Sequence, residues 1–143
     1  MSKAALLTDE VKAALQQIST ANGYNTNLTG IYLFGESKPD SVAPPYLLVR
    51  VASDELQDYK GTSALRLATY EIEGVMSRAG TLQDLQRLHH DVLKALGLGK
   101  VPTARPMNTG WPFEESAEFE PDQGGGTTRR VTSSVTLRYA EQY

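Results

Sequence analysis

The clearest alternation of apolar and polar positions lies near the end of the chain. From Thr127 to Ala140 the sequence reads TTRRVTSSVTLRYA, with Val131, Val135, Leu137 and Tyr139 in one phase and Arg130, Thr132, Ser134, Thr136 and Arg138 in the other. Side chains of a strand alternate between faces, so this is a strand with one buried and one polar face. Fully extended, it spans roughly 46 Å, against about 37 Å for the diameter of a compact domain of this size. It is therefore expected to bend, fray or reach past the body, and the third option points to a part built for assembly. Gly124-Gly125-Gly126 before it predicts a flexible hairpin tip that orders on a partner.

Two stretches carry helical periodicity instead. Leu7, Val11, Ala14, Leu15 and Ile18 predict a helix over 8–21, with Thr8 as cap, Asp9 and Glu10 in the first turn and Asn22-Gly23 as the stop. Leu82, Leu85, Leu88, Val92 and Ala95 or Leu96 form the buried stripe of a second helix. Thr81 and Asp84 stand in capping-box positions, and Gly97-Leu98 suits a Schellman end.

The remaining strands are shorter signals. Ile31–Phe34 and Tyr46–Ala52 are separated by a loop containing Pro39, Pro44 and Pro45. Ser53–Thr62 reads as a polar, acidic loop. Leu65–Met76 is a long strand whose apolar phase switches from odd (Leu65, Leu67) to even (Ala68, Tyr70, Ile72, Met76), which predicts a β-bulge within it. Gly99–Met107 is a connection, and Gly110–Glu120 is a strand that Pro112 confines to an edge or a bulge. The order α-β-β-β-α-β-β predicts a single α+β domain over 1–143, with a mostly antiparallel sheet and both helices on one face.

Composition narrows the classes. The chain has 143 residues, 40% hydrophobic and 22% charged, which suits one soluble core. No apolar run nears the roughly 20 residues of a membrane helix, and the N-terminus lacks a signal-peptide core. There are no cysteines, so disulfide scaffolds and thiolate chemistry are excluded. A net charge of −3 argues against a general nucleic-acid binder.

Candidate chemistry is sparse. His89 and His90 point about 100° apart on a helix, so they do not chelate one ion and read as surface or rim residues. No Gly-x-Ser-x-Gly elbow accompanies them. Asp54, Glu55 and Asp58, and Glu114, Glu115, Glu118, Glu120 and Asp122, read as solvated acidic faces. A sharper alternative is a passage that repels DNA phosphates. Gly124–Thr128 lacks a phosphate-loop ending. Arg129-Arg130 is either solubilising charge or an ion-pair contact to an acidic neighbour. Trp111 beside Pro112 and Phe113 is either core or interface.

These elements, in order, resemble the tail terminator (tail completion) proteins of long-tailed bacteriophages. The matching segments are Ala21-Asn22-Gly23-Tyr24, Gly30-Ile31-Tyr32-Leu33-Phe34-Gly35, the strand Pro45 to Ala52, the strand Leu65 to Met76, His90-Asp91-Val92-Leu93-Lys94-Ala95-Leu96, and the closing strand Val131 to Tyr139. The resemblance implies a virion protein assembled in the host cytoplasm. It forms a homo-oligomeric ring, typically of six copies, on the finished tail tube, and it contacts the tube protein and the head–tail connector of the neck. DNA passes through the lumen without specific binding. No cofactor, metal, membrane or catalysis is implied. Such a ring is a head-to-tail assembly that closes. The Leu65–Met76 strand and the Glu114–Tyr139 hairpin are expected to supply much of the contact. Candidate interface residues are Tyr59, Arg66, Trp111, Phe113, Arg129, Arg130 and Arg138, and candidate acidic lumen or rim residues are Asp54, Glu55, Asp58, Glu114 and Glu115. A head–tail connector, and a small α+β domain that binds a ligand or takes a peptide by strand addition, are the competing readings.

Overall fold

A computed structural model describes residues 2–34, 36, 42–98, 109–120 and 128–143. Its elements are helix α1 (Lys3–Leu15), a 3-10 turn (Thr20–Asn22), strands β1 (Gly30–Leu33), β2 (Tyr46–Lys60) and β3 (Ser63–Ser77), helix α2 (Leu82–Ala95), and strands β4 (Gly110–Glu120) and β5 (Thr128–Gln142). The strands form one five-stranded sheet in the order β1-β2-β3-β5-β4. The β1–β2 pair is parallel and the other three pairs are antiparallel. Both helices pack on one face of this sheet, so the architecture is α+β in two layers. The glycine-rich tip, the 99–107 connection and most of the proline-rich loop lie outside the described residues.

The core follows from the alternation. Val131, Val135, Leu137 and Tyr139 of β5 point to the helices, as do Leu47 and Val49 of β2 and Ala68, Tyr70 and Ile72 of β3. They meet Leu7, Val11 and Leu15 of α1 and Leu85, Leu88 and Val92 of α2. Gly74 lets α2 approach closely, because a Cβ there would sit 2.5 Å from Leu88 Cδ2. Among the described residues the other sheet face carries no helix. It holds cross-strand polar pairs: Arg50 with Glu71, Arg130 with Glu73, and Thr69 with Thr136.

Helix α2 is built as its sequence predicts. Thr81 accepts from the Asp84 amide and Asp84 accepts from the Thr81 amide. At the far end, Leu98 N–H donates to Leu93 and Gly97 N–H to Lys94, with Gly97 in the left-handed region at φ 86°. Leu82 departs from the predicted stripe and is exposed.

Helix α1 starts earlier than its pattern predicts. Ser2 is the cap, accepting from the Ala5 amide, and Glu141 accepts from the Lys3 and Ala4 amides. That second partner comes from the other end of the chain and leaves no local signal. Thr8 therefore sits inside the helix, bonded to the Ala4 carbonyl and 2.7 Å from the Tyr70 hydroxyl. The helix ends at Leu15, and Gly23 instead closes the 3-10 turn at φ 87°.

Three strand expectations need correction. Ser53–Thr62 is not a loop: β2 runs to Lys60, and only Gly61 and Thr62 turn the chain into β3. The bulge is not in β3 either, which pairs with β5 without interruption from Ser63 to Ser77. The register shifts fall in β2, at Val51/Ser53 and Leu56/Asp58. Leu65 and Leu67 break phase because they lie on the helix-free face. Nor does β5 reach past the body. It is paired with β3 along its whole length, and β2, β3 and β5 have 15 residues each, so the sheet itself is about 50 Å long.

Candidate functional site

The far half of β2 is the least covered part of the sheet. Strand β1 pairs with β2 only up to Val49, and from Arg50 through Lys60 every residue of β2 is exposed. Pairing with Tyr70, Ala68, Arg66 and Ala64 places Val51, Asp54, Leu56 and Tyr59 on the helix side. Glu55 and Asp58 lie opposite Leu67 and Leu65, on the helix-free side. Leu56 is 51% exposed and Tyr59 70%, large values for apolar side chains in a regular strand. The backbone edge of this segment is blunted by two bulges and three carboxylates, devices that oppose strand addition.

One residue of the segment is tied down. Asp54 accepts from Arg66 Nε at 2.6 Å and from the Tyr139 hydroxyl. Tyr139 is buried, and burial first, then the bond to Asp54, pushes its phenol well above its usual pKa. Above about pH 10 the unfolded chain would lose this proton while the folded chain keeps it, so stability is full below that pH and falls as pH rises through the folded value. Tyr139→Phe should cost about 1.5 kcal/mol at neutral pH by deleting a charge-assisted bond. It should also flatten the alkaline loss, leaving the smaller contributions of Tyr70 and Tyr24, both also raised. Chemical denaturation at pH 7 and at alkaline pH checks both. An unchanged alkaline slope would show that the Asp54–Tyr139 contact does not govern it.

The opposite edge of the sheet is β4. A register shift at Pro112/Glu114 lifts Phe113 out of the ladder, so the proline produces both the edge position and the bulge its sequence predicts. Trp111 pairs with Arg138, and the Arg138 guanidinium carbon lies 4.2 Å from the Phe113 ring centre. Trp111 is half-buried and Phe113 exposed, both on the rim of the helix-free face. Glu115 points the other way. It meets His89 Nε2 at 3.2 Å, while His89 packs edge-on against Phe119 and fastens β4 to α2.

The predicted residues thus separate into groups. Tyr59 and Arg66 belong to the β2 edge region, and Trp111, Phe113 and Arg138 to the β4 edge. Arg130 is paired with Glu73 in the middle of the helix-free face, and Arg129 lies at the start of β5. Of the acidic set, Asp54 and Glu115 are internally paired, which removes them from an open rim. Glu55, Asp58 and Glu114 remain exposed. Strand β3 is hydrogen-bonded on both edges, so its backbone is closed to a neighbour. His90 is exposed. Among the described residues no three His, Cys, Asp or Glu side chains gather as a metal site.

Sequence reasoning missed two features. Asp91 is fully buried on α2 and accepts from the Asn25 backbone amide at 3.0 Å and from its side-chain amide at 3.0 Å. The available signal was a carboxylate on the buried stripe beside Leu88 and Val92. The second is a cleft of about 310 Å³ beside β1, lined by Tyr32, Phe34, Leu48, Arg50 and Glu71 on the helix-free side. Its residues come from four strands and the segment after β1, which no linear pattern joins.

The fold and these surfaces define a two-layer α+β protein with different exposed side chains on its two lateral sheet edges. A comparison with protein-family models finds none that matches the chain, and a comparison with curated proteins finds no significant relative.

Proposed function

We propose that this chain is a tail terminator of a long-tailed bacteriophage, forming a ring that caps the tail tube, stops its polymerisation and offers a surface to the head connector. The observation that carries the reading is the unlike character of the two lateral edges. One exposes Val51, Leu56 and Tyr59, the other Phe113 beside Trp111 and Arg138. A ring that closes needs two different surfaces on opposite sides of each copy, whereas a twofold dimer needs one self-complementary patch. The element order and the segments that resemble the terminator family support the same conclusion. Glu55, Asp58 and Glu114 supply exposed negative charge, which suits a passage that DNA must traverse without sticking.

The cleft beside β1 favours a second reading, a domain that holds a peptide or small ligand, since its volume sits at the lower end of ligand pockets. Phage assembled without this protein separates the two. Termination predicts abnormally long tubes without heads, seen by electron microscopy. Tails of normal length that fail to join heads would move the role to a connector. Normal infectious particles would discard both virion roles and leave the binding domain.

A further inference from the structure

We propose that the cleft beside β1 is a site for a guanidinium group, filled by an arginine side chain of a partner polypeptide. The site is independent of the ring reading, because none of its residues is among the edge side chains that carry that reading. It gives the chemistry of the cleft that favours the second reading. The strand register builds it. Tyr32 of β1 pairs with Leu48 of β2, and Leu48 with Glu73 of β3. Glu71 lies two residues along on the same face and pairs with Arg50. Leu48 is thus an apolar floor between an aromatic wall, Tyr32 and Phe34, and an acidic wall, Glu71 and Glu73. Three carboxylates and one guanidinium line this space of about 310 Å³, the third carboxylate being that of Glu36. Glu36 is engaged by Lys12, so Glu71 and Glu73 are the acidic groups left to a ligand.

The acidic wall is held in place and only half used. Arg50 Nε and Nη2 both donate to Glu71 Oε2, and Arg130 Nη1 donates to Glu73 Oε1. Among the described residues, Glu71 Oε1 and Glu73 Oε2 accept no hydrogen bond. Arg50 also faces an incoming cation, and its bonds to Glu71 offset that repulsion. Residues two apart on one face of a strand are about 7 Å apart. One ammonium nitrogen bridges oxygens no more than about 5.8 Å apart, at about 2.9 Å a bond. A guanidinium is wider and carries donors around its plane, so it reaches both carboxylates. Its flat face also stacks on an aromatic ring, and Phe34 offers one that is 87% exposed. That exposure leaves the mouth open. The cleft therefore takes one side chain of a passing polypeptide and does not enclose a free molecule, which a ligand pocket would bury almost whole. The outer edge of β1 has no strand partner among the described residues, which leaves room for that polypeptide.

NMR titration of the full chain with three blocked peptides, Ala-Arg-Ala, Ala-Lys-Ala and Ala-citrulline-Ala, tests the site at the backbone amides of Tyr32, Phe34 and Leu48. The expected result is saturable shifts with a Kd of about 1 mM for the arginine peptide and roughly tenfold weaker binding for lysine. Citrulline keeps the shape and loses the charge, so its peptide should give no saturable shift. Phe34→Ala should weaken arginine binding about threefold with the fold intact, since its ring lies outside the core. Glu73→Gln should weaken it about tenfold. Lysine or citrulline peptides that bind as well as arginine, or binding that Phe34→Ala leaves unchanged, would overturn the site. Agmatine that binds more tightly than the arginine peptide would give the cleft to a free small molecule and overturn the partner. The same amides shifting with protein concentration alone would overturn it in favour of a second copy. None of these results bears on tail length, so the site stands or falls apart from the terminator reading.

Discussion

Replacing Leu56 and Tyr59 together by serine should abolish ring formation and leave the fold intact. Both side chains are more than half exposed, and neither belongs to the buried core. Surface changes of this kind shift stability by about 0.5 kcal/mol or less each. Removing two hot-spot side chains costs at least about 2 kcal/mol apiece at an interface, so assembly should weaken by a factor on the order of 10³. Circular dichroism and thermal melting report the fold, and sedimentation velocity reports the assembly. A double variant that still forms rings at the normal concentration would remove the β2 edge from the interface.

Asp91→Ala should be among the most destabilising single changes in the body of the protein. The carboxylate is fully buried and holds the segment after the 3-10 turn, through the backbone and side-chain amides of Asn25. Lys94 supports the same segment, donating to the Gly23 carbonyl and lying 4.8 Å from the Tyr24 ring centre. Truncating Asp91 deletes the buried acceptor of both Asn25 amides, two hydrogen bonds to a charged group, at a cost of about 3 kcal/mol, or roughly 9 °C in Tm for a domain of this size. Pairing it with Asn25→Ala in a double-mutant cycle should show a coupling of about 1 kcal/mol, because both changes remove the same side-chain hydrogen bond. Additive effects would show that the two residues act separately.

What the sequence conveyed depended on whether one face of an element was buried. β5 was legible because its alternating positions divide between core and helix-free face from Val131 to Tyr139. Helix α2 was legible because Thr81, Asp84 and Gly97 act on residues three to five places away. β4 was legible through Pro112. The far half of β2 was not, because a strand exposed on both faces has no apolar period to report, and SDELQDYK reads as a loop. The start of α1 was hidden for a different reason: Glu141 caps it from 138 residues away. The candidate surfaces were legible as residue types. Tyr59, Trp111, Phe113 and Arg138 stood out as anchors, but only the strand register assigns them to opposite edges of the sheet.

On the ring reading, the exposed edges of this sheet are covered only when copies pack around an axis. Native mass spectrometry of the unmodified full chain, alone and after release from tail tubes, tests it most directly. One closed oligomer is expected, appearing above a threshold concentration or on tubes and growing no further. A chain that stays monomeric under both conditions, or that grows without limit, would contradict it.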